Sequence, residues 1–136
     1  MNKTLFKIDF YIPSSIEGLD KCLNVIGELK EKFLLDFDTT FGLQTVVLEA
    51  VENAFIHGNK GIRELKVRVQ FTVKVHKIVV EVEDCGEGFD LAAVDRINEG
   101  DIRTSEGGRG IFFIKKLSSD CYTLGRGNIF RIILNR

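Results

Sequence analysis

The chain has 136 residues, of which 44% are hydrophobic, and its 19 basic and 20 acidic side chains leave a formal net charge of −1 at pH 7. A chain of this length buries roughly two-thirds of its unfolded surface when it folds. We therefore expect one domain, residues 1–136, with a hydrophobic core that is stable without disulfide bonds or a structural metal. The balanced charge supplies no global field that would attract nucleic acid or an anionic membrane, so neither is expected as a direct partner.

The first part of the chain predicts a strand that leads into a long helix. The run TLFKIDFYI alternates apolar and polar residues, as a half-buried strand does, and it ends at Pro13. Ser14 or Ser15 is a suitable N-cap for the following helix. The apolar residues of that helix recur at helical spacing: Ile16, Leu19, Leu23, Ile26, Leu29 and Phe33.

A second helix is predicted from about Thr39 or Thr40 to Ile56, with HGNKG as its stop signal. The next run, ELKVRVQFTVKVHKIVVEVED, alternates twice around a turn near His76 and Lys77, which indicates an antiparallel pair of strands. It is followed by DCGEGFD, by the polar loop NEGDIRTSEGGRG, by a third helix IFFIKKL and by the hairpin CYTLGRGNIFRIIL. About five strands and three helices in this order predict an α+β two-layer sandwich, with a mixed, mostly antiparallel sheet and helices on one face.

Cysteine usage and the absence of apolar runs indicate a cytoplasmic protein. The three cysteines, Cys22, Cys85 and Cys121, are odd in number and form no CxxC pair, which disfavours a disulfide framework or a zinc site. The start MNKTLFKIDFYIPSS has no apolar stretch long enough for a signal peptide, and no segment approaches membrane-spanning length.

Three polar motifs carry the chemistry, and the first is LEAVENAFIHGNK. Glu49 and Asn53 are spaced at i and i+4, so both side chains project from one face of the second helix, and His57 follows one turn later. A carboxylate beside a carboxamide oxygen suits magnesium, and the carboxylate could instead accept a proton from an attacking hydroxyl. The alternative is a solvated polar face that ends in a histidine.

The second motif is VEDCGEGFD, in which Asp84 follows a buried strand. A carboxylate there can accept a hydrogen bond from an exocyclic amine such as that of adenine, while Gly86 and Gly88 let the backbone turn tightly beside a ligand. An ordinary Asp and Gly turn is the alternative. A dinucleotide-binding fingerprint is excluded because its third glycine is missing and no regular βαβ unit follows.

The third motif is SEGGRGIFFIKKL, in which a glycine-rich loop is predicted to open into a helix. Free backbone N–H groups and the positive end of the helix dipole would form a phosphate seat there. A flexible loop with a glycine helix entry is the alternative for this segment. The pattern GxxxxGK[ST] is absent, so the segment is not a P-loop.

Together, EAVENAFIHGN, DCGEGFD and GGRGIFFIKKL resemble the N, G1 and G2 boxes of the superfamily that includes gyrase, histidine kinases and the heat-shock-90 chaperones, which share the Bergerat fold. The compact length, the form EAVxNAxxHG, the leading strand and helix, and EGGRGIFFI look like the anti-sigma-factor serine kinases of bacterial partner-switching systems. This resemblance spans nearly the whole chain.

The resemblance implies a role for each motif residue. Glu49 would be the catalytic base that activates a serine hydroxyl, and Asn53 would bind magnesium. Asp84 would accept a hydrogen bond from the adenine amino group. His57 is instead interpreted as a helix-end packing residue. The nucleotide-contacting set implied by the resemblance is Asn53, Asp84, Gly86, Gly88, Phe89, Gly107, Gly108, Arg109, Gly110 and Asn128.

This sequence departs from the family pattern in three places. The segment between Phe89 and Gly107 is short for an ATP lid, so closure over the nucleotide could be incomplete without a partner. Asn128 stands where many relatives carry threonine, so its contact to the base would differ. Arg109 could contact phosphate or be a solvated lid charge.

The resemblance implies an ATP-dependent serine-protein kinase and anti-sigma regulatory factor that uses ATP or ADP and magnesium. Its implied partners are a sigma factor, which it sequesters, and a STAS-type anti-anti-sigma protein, whose serine it phosphorylates; a homodimer is implied as well. The alternative function is a nucleotide-gated protein-binding regulator without significant kinase turnover. A histidine kinase or gyrase-like motor is disfavoured because neither a phosphoacceptor helix nor a transducer domain is apparent.

Overall fold

A five-stranded antiparallel sheet carries the helices on one face in the computed structural model, which describes residues 3–89, 91 and 106–136, with residues 106–109 described by their backbone alone. The elements of the described chain are β1 Thr4–Pro13, α1 Ile16–Phe33, α2 Phe37–Asn53, a π-helical turn Ala54–Gly58, β2 Lys66–Lys74, β3 Lys77–Glu83, α3 Glu106–Leu117, β4 Asp120–Leu124 and β5 Ile129–Asn135. The predicted α+β class, with five strands and three α-helices, is confirmed for these residues.

The strand order is β1-β2-β3-β5-β4, and all four pairings in the described chain are antiparallel. Phe71 of β2 pairs with Val80 of β3, which in turn pairs with Ile132 of β5. These three side chains are fully buried, because every second residue of each strand faces the helices. The sheet therefore has one helix-covered face and one face that carries mainly polar side chains.

The polar face is tied together by a network of charged side chains that crosses several strands. Arg68 of β2 lies 3.2 Å from Glu81 and 2.7 Å from Glu83, and Arg131 of β5 lies 2.6 Å from Glu81. Arg131 also donates to the Tyr122 hydroxyl of β4. Because the network includes the last residue of β3, it fixes the strand end from which the second motif begins.

The helices pack on the opposite face, with α2 in contact with both α1 and α3 and lying over β3 and β5. Leu43, Val46, Val47 and Val51 of α2 are completely buried between the sheet and the flanking helices. None of the helices in the described residues has the length and apolar content needed to cross a bilayer.

The boundaries of α2 differ from those expected. The helix begins at Phe37, earlier than Thr39, because the Asp36 side chain caps it by accepting the Thr39 N–H at 2.8 Å. It ends as an α-helix at Asn53 and continues as a π-helical turn to Gly58, beyond the expected end at Ile56.

One expectation about a helix start is confirmed and another needs correction. Ser15 is the N-cap residue of α1, as expected, although its side chain makes no cap bond; the Ser14 hydroxyl instead donates to the Leu65 carbonyl. α3 begins at Glu106, so the glycine run that we expected to be a loop is helical from that residue. Packing against α2 outweighs the poor helix propensity of glycine there.

Candidate functional site

The first and third motifs meet where the C-terminal half of α2 passes the start of α3. A Cβ placed on Gly110 would lie 2.7 Å from Glu49 Oε2, and 3.5 and 3.7 Å from the carboxamide nitrogen and oxygen of Asn53. Glu49 and Asn53 are both half-buried. The missing side chain of Gly110 therefore lets the backbone of α3 lie directly over the paired polar groups of α2.

His57 does not continue the stripe that Glu49 and Asn53 form. The π-helical turn is wider than an α-turn, as the bond from Asn59 N–H to the Ala54 carbonyl at 2.8 Å shows, so it shifts the phase of the residues that follow Asn53. The His57 side chain is exposed, in contrast to the helix-end packing expected for it. The sequence periodicity gave no sign of this turn.

The second motif places Asp84 directly after β3, where its carboxylate is half-buried. Asp84 Oδ1 accepts the Gly86 N–H at 2.7 Å. Burial raises the pKa of Asp84 above its ordinary value, whereas the Gly86 N–H and the Arg126 charge lower it and the Glu83 charge raises it further. A hydrogen-bond donor such as an exocyclic amine would stabilise the ionised carboxylate in this environment.

Gly58 is a site residue to which the sequence analysis gave no role of its own, although it lies in the first motif and in the helix stop signal. Any Cβ at Gly58 would clash with the Asp84 carboxylate, so the end of the π-helical turn and the second motif are in close contact. Asn59, the next residue, is fully buried and accepts the Cys85 N–H at 2.8 Å. A polar residue straight after a helix-terminal glycine reads as an ordinary loop residue, so only the three-dimensional contact reveals it.

The turn between β4 and β5 closes over the loop that follows Asp84. Gly88 has φ +95°, and a Cβ there would clash with the Arg126 carbonyl, which explains why glycine is required. The Phe89 N–H donates to the Gly127 carbonyl at 3.2 Å, and the Phe89 ring packs edge-on against Phe130 at 5.6 Å. Phe89 thus anchors the loop in the core.

Asn128 holds the same loop through reciprocal bonds to the backbone of Asp84. Its side-chain nitrogen donates to the Asp84 carbonyl at 3.1 Å, and its own carbonyl accepts the Asp84 N–H at 3.0 Å. Asn128 is buried, and these two bonds hold the backbone segment that carries the Asp84 carboxylate.

The remaining predicted positions lie partly or wholly beyond what the structure describes. Gly107, Gly108 and Arg109 belong to α3 by their backbone, and the contacts of their side-chain positions lie outside the described residues. The predicted short lid between Phe89 and Gly107 also lies outside them, apart from residues 91 and 106.

The donor set fits magnesium. The Asn53 carboxamide oxygen beside the glycine backbone suits magnesium, which in proteins takes one or two protein oxygen ligands together with substrate phosphates. The neighbouring Glu49 carboxylate could be a second ligand or, instead, a proton acceptor. Among the described residues, no three His, Cys, Asp or Glu side chains gather into a metal-holding group of their own.

Comparisons with known proteins agree with this geometry. A family model described as "Histidine kinase-like ATPase domain" matches residues 12–134. The fold is similar to a chain in "The crystal structure of SiaB-SiaC complex from Pseudomonas aeruginosa", with a TM-score of 0.68 and 17% sequence identity over 99% of this chain and 90% of that one. The comparison with curated proteins gives no match.

Proposed function

We propose, from the premise that this chain belongs to the histidine kinase-like ATPase domain family, that it is an ATP-dependent serine-protein kinase and anti-sigma regulatory factor. Family membership makes it an ATP-using, nucleotide-binding domain. The finer proposal is that it sequesters a sigma factor or similar partner and phosphorylates a serine on a STAS-type antagonist. A protein of similar fold has been captured in a complex with a second protein, which is consistent with a partner-binding role.

One observation carries the proposal. α2 and its π-helical extension contact both other motifs: Glu49 and Asn53 lie beside the glycine backbone of α3, and Gly58 lies against the half-buried carboxylate that follows β3. Catalysis of this reaction depends mostly on positioning and charge neutralisation. In the proposed site the Asp84 carboxylate would accept a hydrogen bond from the adenine amino group, and Asn53 would hold a magnesium ion, which would supply neutralisation of the phosphate charge.

Glu49 supplies the proton acceptor. Its carboxylate takes the proton from the partner's serine hydroxyl as the serine oxygen bonds to the γ-phosphorus and the bond from that phosphorus to the ADP oxygen breaks. The products are phosphoserine and ADP. The contact between Glu49 and Gly110 places this base beside the segment proposed to carry the phosphates.

Glu49→Gln tests this assignment. We expect phosphate transfer from labelled ATP to a candidate antagonist to fall by roughly 10²- to 10⁴-fold, the usual contribution of a general base, while nucleotide affinity changes little. Glu52→Gln is the matched control, because Glu52 lies on the same helix and is exposed. Unchanged transfer by Glu49→Gln would exclude the base assignment. Nucleotide-dependent partner binding without any phosphoprotein from the unaltered chain would favour the alternative regulator.

A further inference from the structure

Asn59 is a completely buried polar residue that joins four parts of the fold. Its side-chain nitrogen donates to the Ser14 hydroxyl at 3.0 Å, the Leu65 carbonyl at 3.1 Å and the Lys66 carbonyl at 3.3 Å. Its side-chain oxygen accepts the Cys85 N–H at 2.8 Å. The β1–α1 connection, the end of the π-helical turn, the start of β2 and the loop after β3 therefore converge on one carboxamide.

The bond to Cys85 fixes the peptide group that adjoins Asp84. That planar group has its carbonyl held by the Asn128 side chain at 3.1 Å and its N–H held by Asn59 at 2.8 Å. The preceding N–H, that of Asp84 itself, donates to the Asn128 carbonyl at 3.0 Å. Because the backbone is anchored on both sides of the Asp84 Cα, the direction in which its side chain leaves the chain is set.

The same segment limits where the carboxylate can go. Gly58, which is bonded to Asn59, lies so close to the Asp84 carboxylate that no side chain fits between them. On the other side, the Gly86 N–H donates to Asp84 Oδ1 at 2.7 Å. The carboxylate is thus confined between the end of the π-helical turn and its own loop.

We propose that Asn59 is a positioning residue for base recognition: through the Cys85 N–H it holds the Asp84 carboxylate where that group accepts the 6-amino hydrogen of an adenine nucleotide. The proposal rests on the nucleotide site of the proposed function. Asn59 does not touch the nucleotide and acts only through Cys85 and Asp84. A displacement of the carboxylate of about 1 Å lengthens such a hydrogen bond beyond its useful range.

Inosine triphosphate separates positioning from general stability, because it carries a carbonyl oxygen in place of the 6-amino group of ATP. A site built to bond the amine discriminates against a nucleotide that lacks it. A charge-assisted hydrogen bond contributes roughly 1.5 to 3 kcal/mol, so the unaltered chain should prefer ATP by about 10- to 150-fold. The ratio of the two affinities, measured by calorimetry with magnesium, reports recognition of the adenine edge that the Asp84 carboxylate would contact.

Asn59→Ala is expected to lower this ATP preference by about tenfold or more. Ser14→Ala is the matched control, because it removes the hydroxyl that Asn59 contacts and leaves the bond to Cys85 in place. Ser14→Ala should keep the preference of the unaltered chain. Equal losses of affinity for ATP and inosine triphosphate in Asn59→Ala would mean that Asn59 has only a structural role, and would overturn the inference.

Two further outcomes keep this inference distinct from the proposed function. If the unaltered chain binds neither nucleotide, the proposed function and this inference both fail; if it prefers ATP and Asn59→Ala keeps that preference, only this inference fails. Should Asn59→Ala not fold, amide hydrogen exchange in the unaltered chain tests the bond through which Asn59 is proposed to act. The Cys85 N–H should be protected by its bond to the buried carboxamide, and exchange at the rate of a free amide would overturn the inference.

Discussion

At the residue scale, Asp84 lowers the stability of the folded chain and also provides a hydrogen-bond acceptor for a ligand. Its carboxylate is half-buried and its pKa is raised chiefly by burial, with the Glu83 charge adding to the effect. A folded-state pKa above the unfolded value means that ionised Asp84 disfavours folding. The cost is absent below the unfolded pKa and is fully present once the pH exceeds the folded pKa. Such a site trades stability for a strong hydrogen-bond acceptor.

Asp84→Asn should therefore raise the free energy of unfolding at neutral pH while lowering ATP affinity, because the neutral amide removes the buried charge and leaves a weaker acceptor. The stability difference should shrink as the pH falls toward the ordinary aspartate value of 3.8. Urea unfolding across this range measures it.

The same pKa shift predicts that ATP binding by the unaltered chain weakens on acidification while the pH is still above 3.8, as Asp84 becomes protonated. ATP binding by Asp84→Asn should not show this loss of affinity above pH 3.8. A lower free energy of unfolding for Asp84→Asn at neutral pH would show that burial of the ionised carboxylate does not destabilise the folded chain.

At the element scale, the contact between the loop after β3 and the β4–β5 turn depends on glycine at position 88. Gly88→Ala should lower the free energy of unfolding by at least about 1 kcal/mol, because Gly88 has φ +95° and an added Cβ would meet the Arg126 carbonyl. Gly27→Ala is the control: Gly27 is exposed in α1 with open space around it, so alanine should stabilise by about 0.5 to 1 kcal/mol. Equal effects of both substitutions on urea unfolding would contradict this interpretation.

The sequence predicted the helices and strands better than it predicted their boundaries. The strands and α1 follow directly from alternation and helical periodicity. The start of α2 was missed because Phe37 is 78% exposed and Leu34 88% exposed, so these apolar side chains do not mark a buried face. The π-helical turn has no signature in the pattern of apolar residues. The start of α3 was missed because the glycine-rich sequence has poor helix propensity, whereas the close packing of Gly110 against Glu49 of α2 is a tertiary contact that local propensity does not reveal.

At the scale of the whole molecule, the fold gathers distant parts of the chain at one place. The end of the π-helical turn, the end of β3 and the β4–β5 turn meet around Asp84, while Gly110 brings α3 onto α2. The three motifs could be identified from residue types and order; in the structure α3 packs against α2, and the end of the π-helical turn packs against the segment after β3. The supporting contacts of Gly58 and Asn59 could not be predicted, because they arise from tertiary packing between segments far apart in sequence.

The most direct test of the central claim is a calorimetric titration of the unaltered chain with ATP, performed with magnesium and again with a chelator. We expect saturable binding of one nucleotide per chain with magnesium, and weaker binding after chelation because Asn53 and the phosphates then lack the shared cation. Absence of any saturable heat with magnesium would contradict it.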